Sequence, residues 1–154
     1  MTMSITITPE RPDTPDASAL VEELDKYLLP LYPIESHHGL DVSQLLAEQI
    51  AFFVLRVDGA PAGCGAVKFY GSEYGEVKRM FVRPDYRGQG LSKRMLSFLE
   101  EYTHAQGIPL LRLETGFLQD EAISLYRRMG FVEIGPFGPY KPDPLSLFFE
   151  KRLA

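Results

Sequence analysis

Cysteine and histidine are scarce. Cys64 is the only cysteine, which excludes an intrachain disulfide. It lies between Gly63 and Gly65 in a strand-like run, a setting that favours a buried, inert thiol over a nucleophile. The three histidines do not cluster with it, so the spacing of a metal site is missing and no metal is expected. An excess of positive charge is missing as well. The 16 Lys and Arg stand against 21 Asp and Glu, a net charge of −5. That argues against general nucleic-acid or anionic-membrane binding, which needs a basic surface. Any anion site must therefore be local. No apolar stretch approaches the length of a membrane span, and no basic segment followed by an apolar run opens the chain. A soluble, cytoplasmic protein is the expectation. Repeats, linkers and low-complexity segments are also absent. The 154 residues, 45% of them hydrophobic, are enough for one cored domain, taken as 1–154.

Elements can be read from pattern. Ser4 to Thr8 alternates and is rich in β-branched residues, as a first strand would be. Asp13 or Thr14 caps a helix with Pro15 at its first position, and Pro30 and Pro33 end it. Ala19, Leu20, Leu24, Tyr27, Leu28 and Leu31 give that helix an apolar face. A loop from Tyr32 to Leu40 and a short helix from Asp41 to Glu48 come next. Ala51 to Val57 and Ala60 to Tyr70 form a hairpin about Asp58-Gly59, a strong turn signal. Gly71 to Gly75 is a second turn, and Glu76 to Val82 makes the third strand of a meander. A helix from Leu91 to Gln106 presents Leu91, Met95, Phe98, Leu99 and Tyr102 on one face. Leu110 to Thr115 is the next strand, and the helix between makes a parallel crossover. A last helix ends at Met129. Phe131 to Ile134 and Leu145 to Lys151 close the chain around a Pro- and Gly-rich loop. The fold class is α/β (α+β): a mixed, mostly antiparallel sheet flanked by helices.

The stretch with most chemical content is Arg87-Gly88-Gln89-Gly90-Leu91-Ser92, between a strand and a helix. First-turn N–H groups of a helix lack intrahelical partners, and the helix dipole favours negative charge there. Glycines allow close backbone approach and positive φ. A phosphate or pyrophosphate is the group such a turn would hold, although glycines before a helix also serve simply as a tight turn. Neither a nucleotide P-loop nor a dinucleotide fingerprint is present.

Arg87-x-x-Gly90-x-Ser92 resembles the Arg/Gln-x-x-Gly-x-Gly/Ala motif of the GNAT superfamily of N-acetyltransferases, and Ala122-x-x-Leu125-Tyr126-x-x-x-Gly130-Phe131 resembles that family's second signature. The resemblance is clear from about Phe53 to Phe131; Ser92 stands where Gly or Ala is usual. It implies a parallel strand pair that splays apart, with acetyl-CoA as acyl donor lying in the gap. Backbone groups of Met80, Phe81 and Val82 would meet the pantetheine, and N–H groups from Arg87 through Gly88, Gln89, Gly90, Leu91 and Ser92 the pyrophosphate. Gln119 would bond cofactor or backbone. Tyr126 would protonate the leaving thiolate, since a phenol of pKa about 10 can donate to a thiolate whose conjugate acid lies near about 8.5. Glu76, eleven residues before Arg87, is the candidate base. The competing readings are a packed helix tyrosine for Tyr126 and a solvated strand-end glutamate beside Lys78 for Glu76. His37, His38, Tyr32, Glu35 and the loop around Phe137 and Tyr140 are weaker candidates for an acceptor pocket. The function implied is acetylation of a small-molecule amine by direct attack in a ternary complex. A protein or peptide amine acceptor, a CoA-binding module without useful catalysis, and a homodimer all remain open.

Overall fold

The computed structural model describes residues 3–33, 41–47 and 50–153. Seven strands form one sheet in the order β1-β2-β3-β4-β5-β7-β6. They are β1 (Ile5–Pro9), β2 (Ala51–Val57), β3 (Ala60–Tyr70), β4 (Tyr74–Val82), β5 (Leu110–Gly116), β6 (Val132–Ile134) and β7 (Ser146–Arg152). The helices are α1 (Pro15–Leu28), α2 (Val42–Ala47), α3 (Leu91–Ala105) and α4 (Asp120–Arg128). All neighbouring strands run antiparallel except β4 and β5. The expected mixed sheet, meander and crossover are all present. No helix among the described residues is long and apolar enough to cross a membrane.

Local chemistry sets the element boundaries. Thr14 caps α1 by accepting from the Ala17 N–H, with Pro15 behind it. Asp41 and Gln44 exchange side-chain-to-backbone bonds of 2.8 and 3.0 Å, a reciprocal cap for α2. Asp58 and Gly59 take φ of 49° and 85°, as a two-residue hairpin turn with right-handed twist requires. The buried stripe of α1 is Ala17, Leu20, Val21 and Leu24, whereas Tyr27 is 42% exposed, so the expected apolar face is rotated. The turn before β4 is also shorter than expected, because the strand begins at Tyr74.

The sheet is covered on both faces. Leu91, Met95, Leu96 and Leu99 of α3 pack with Val67, Val77, Leu111 and Leu113, and Tyr126 of α4 joins this core. Leu20, Val21, Leu24 and Leu45 pack with Phe52, Val54, Cys64, Ala66 and Phe81 in a second core. A third, aromatic cluster of Tyr74, Phe137 and Phe148 holds the loop before β7 down on the sheet.

Two irregularities in β4 open a gap in the sheet and anchor its rim. Its pairing with β5 is confined to Gly75 with Leu111 and Glu76 with Arg112, and beyond these the two strands part. On its other side, the register with β3 shifts between Cys64 and Ala66, where Arg79 takes a positive φ of 54°. A non-glycine residue there costs on the order of 1–3 kcal/mol, so its surroundings must hold it. The Cys64 thiol donates to the Arg79 carbonyl, and the Arg79 guanidinium donates to the Val21 carbonyl and to Asp25. The bulge thereby ties β4 to α1.

Candidate active site

A cleft of 670 Å³ lies where α3 and α4 approach the parted edge of β4. Of the residues that the motifs singled out, Met80, Phe81, Val82, Arg87, Gly88, Gly90, Leu91, Ser92, Gln119 and Tyr126 line it. Gln89 is not part of the wall. Gly90 is the N-cap of α3 with φ 74°, and no side chain caps the helix. The first-turn N–H groups therefore face the cleft without a side-chain acceptor. A Cβ on Gly88 or Gly90 would touch nothing within 4 Å, so positive φ, and not crowding, is what calls for glycine here. The Arg87 guanidinium lies 5.4 Å from the Tyr27 ring centroid and donates to the Val82 carbonyl. Lys93 and Arg128 add positive charge to the same wall. Sequence reasoning missed these two, which read as ordinary exposed helix residues, and Tyr27, which it placed on the apolar face of α1.

A second cavity of 120 Å³ opens on the other side of the gap and shares Met80, Gln119 and Tyr126 with the first. Tyr126 thus stands at the junction. It is 6% exposed, beside the rings of Phe131 and Phe149. No described residue hydrogen-bonds its hydroxyl, and burial, with the Glu114 charge, pushes its pKa up. The phenol therefore stays protonated throughout the ordinary pH range. Gln119 caps α4 and is occupied locally, its Oε1 accepting from the Gly116 N–H at 2.9 Å and the Thr115 hydroxyl at 3.3 Å. Tyr32 accepts from the Leu118 N–H and packs so closely on Gly116 that a Cβ there would meet its hydroxyl. His37, His38 and Glu35 lie outside the described residues.

Glu76 is 1% exposed, which rules out the solvated strand-end reading. Its Oε1 accepts from Tyr70, and its Oε2 accepts from Tyr140 at 2.5 Å and lies 3.0 Å from the Lys78 ammonium. Lys78 also donates to the Tyr140 hydroxyl at 2.7 Å. Tyr140 is thus a cavity residue, whereas Phe137 supports it from the aromatic cluster. Burial, the Glu76 charge and the Glu76 bond hold the Tyr140 phenol well above its ordinary pKa.

One carboxylate in this cavity was missed altogether. Glu114 of β5 lines the wall, partly buried, and among the described residues its one side-chain hydrogen bond is donated by the Ser146 hydroxyl at 2.9 Å. Burial pushes its pKa up to about 7, against the lowering effects of Ser146 and Lys78, with Glu76 and Asp143 adding to the rise. In sequence it is merely the polar position of an alternating strand, and only the splay turns it into cavity wall. Cys64, by contrast, behaves as expected: it is buried, and desolvation pushes its thiol up to about 12.

The fold agrees with three comparisons. Residues 48–133 match the family described as Acetyltransferase (GNAT) domain. The chain is 49% identical over 151 residues to an IAA acetyltransferase of Azospirillum brasilense, covering 97% of this chain and 99% of the relative. A crystal structure from Klebsiella pneumoniae, assigned to the acyl-CoA N-acyltransferases, superposes with a TM-score of 0.84 at 38% identity, covering 97% and 98% of the two chains. The PaiA N-acetyltransferase of Thermoplasma acidophilum, crystallised in complex with coenzyme A, has the same fold, with a TM-score of 0.74 at 20% identity and coverage of 97% and 99%. The chain belongs to the GNAT acetyltransferases and is an N-acetyltransferase.

Proposed function

We propose that this chain moves the acetyl group of acetyl-CoA to the nitrogen of a small-molecule amine within a ternary complex, and that residues 1–154 work as one catalytic domain. The observation that carries this reading is the meeting of the two cavities at Met80, Gln119 and Tyr126, where β4 and β5 part. In this reading the larger cleft takes the donor. Its pyrophosphate meets the N-terminus of α3 from Gly88 to Ser92, with Arg87, Lys93 and Arg128 nearby. The pantetheine runs along the freed edge of β4 at Met80, Phe81 and Val82, which brings the thioester to Tyr126.

The smaller cavity takes the acceptor. Its volume of 120 Å³ suits a compact amine and not the surface of a folded partner. Two carboxylates are available as base. Glu76 has both oxygens engaged by Tyr70, Tyr140 and Lys78, so its part is to hold those groups in position. Glu114 has room to accept a proton. An alkylammonium has a pKa of about 10, so a carboxylate at about 7 narrows the mismatch by roughly 3 kcal/mol relative to an ordinary glutamate. The ammonium gives one proton to Glu114, the free amine attacks the carbonyl, the new C–N bond forms and the C–S bond breaks. The thiolate leaves with hydrogen bonding from Tyr126, and the surplus proton on nitrogen passes to solvent.

The test is acetyl-CoA-dependent thiol release with a panel of amines and, separately, with the IAA named for the Azospirillum relative, followed by mass spectrometry of the products. Amine-dependent release with an N-acetyl product supports the reading. Tight acetyl-CoA binding with no release across the panel would favour a CoA-binding module instead.

A further inference from the structure

Building on the smaller cavity as acceptor site, we infer that the acceptor is a compact protonated amine with no carboxylate on the same carbon, seated with its ammonium against Glu114. The charged groups on the cavity wall, among the described residues, are Asp25, Glu76, Lys78, Arg79 and Glu114. Four of the five are already matched. Arg79 lies 2.6 Å from Asp25 and also donates to the Val21 carbonyl. Lys78 lies 3.0 Å from Glu76 and also donates to Tyr140. Glu114 receives the Ser146 hydroxyl and no cation from the described residues.

A carboxylate in a partly dry cavity is stabilised by a cation placed against it, and the ammonium of the acceptor supplies one. Leu24, Leu28 and Leu113 give the carbon portion an apolar wall. An amino acid fares differently. Its carboxylate would sit within a few ångströms of Glu114, and both wall cations are held by acidic partners. Recruiting either would uncover Glu76 or Asp25 beside the incoming charge. The raised pKa of Glu114 agrees with this, because an empty site with a surplus negative charge resists ionisation and a bound cation relieves it.

The experiment compares matched pairs, such as isobutylamine against valine and phenethylamine against phenylalanine, by kcat/KM at pH 8 with saturating acetyl-CoA. The amine of a pair is expected to exceed its amino acid by at least about tenfold, the modest end of what a nearby like charge costs. Glu114→Gln should raise the KM for amines and bring the ratio toward one, and Glu114→Asp should keep most of the ratio. Equal or better use of the amino acids overturns the inference, as does an unchanged ratio in Glu114→Gln. Calorimetric titration with acetyl-CoA separates the two levels. Failure to bind acetyl-CoA or to use any amine of the panel sinks the proposed function, whereas turnover of the amino acids as good as that of their matched amines sinks this inference alone.

Discussion

Glu114 should weaken the fold at the same pH at which it makes the site reactive. Its carboxyl has a pKa of about 7 in the fold against an ordinary 4.5. A group whose folded pKa is raised stabilises the fold fully below the unfolded value. That contribution is lost as the pH rises through the folded value. The window here runs from about pH 4.5 to just above pH 7, and the difference of about 2.5 pH units corresponds to roughly 3 kcal/mol as an upper figure. The side chain is only partly buried, so about 1–3 kcal/mol is the expected range after solvent screening. Glu114→Gln removes the charge and keeps an oxygen for the Ser146 hydroxyl. At pH 8 the variant should therefore be more stable than the parent by about 1–3 kcal/mol, a rise in Tm of several degrees at about 2–4 °C per kcal/mol for a chain of this size. At pH 5 the two should unfold together. Calorimetry or urea titration at both pH values measures this. A variant less stable at pH 8, or one that gains equally at pH 5, would refute the assignment of a raised, uncompensated carboxyl facing Lys78, Glu76, Asp143, Tyr32, Tyr126 and Tyr140.

Three other perturbations probe other parts of the site. Gly90→Asp places a negative charge at the N-cap of α3, in a left-handed conformation that Asp enters at modest cost; acetyl-CoA affinity should fall severely while circular dichroism stays unchanged, and unaltered calorimetric affinity would remove the pyrophosphate from that turn. Glu76→Gln removes the buried carboxylate that lies 3.0 Å from the Lys78 ammonium and should cost about 3 kcal/mol in urea titration; unchanged stability with a displaced pH–rate profile would instead make Glu76 the base. Gly116→Ala drives a methyl group into the Tyr32 ring; it should release the Tyr32 bond to Leu118 and raise the acceptor KM far more than the acetyl-CoA KM, and a normal acceptor KM would show that Tyr32 does not shape that cavity.

Much of the larger cleft was legible in the sequence because its parts lie close together in the chain. The glycine turn, the strand before it and the start of the helix after it are one continuous segment, and local rules govern each part. The hairpin at Asp58-Gly59 was legible for the same reason. The smaller cavity is assembled from α1, β4, β5, α4 and the loop before β7, and no local signal reports it. Glu76 reads as an exposed residue until Tyr140, 64 positions away, closes over it. Arg79 gives no hint of a positive φ, since its conformation is held by Cys64, Val21 and Asp25 from other elements. The stripe of α1 was misread because Tyr27, apolar by pattern, lies out at the cleft rim beneath Arg87.

Tyr126→Phe tests the central claim, that the junction of the two cavities is where the thioester is cleaved. The substitution keeps the ring against Phe131 and Phe149 and removes only the hydroxyl, for which no described residue is a hydrogen-bond partner. Packing and acetyl-CoA binding should therefore survive, as should the advantage of holding both reactants together. Loss of the donor to the departing thiolate should lower kcat by about 10² to 10⁴. Steady-state kinetics on the folded variant, with acetyl-CoA affinity measured separately by calorimetry, gives the answer. A fall of that size at unchanged affinity is the expected result; a variant that keeps most of its kcat while chemistry is rate-limiting would contradict the account.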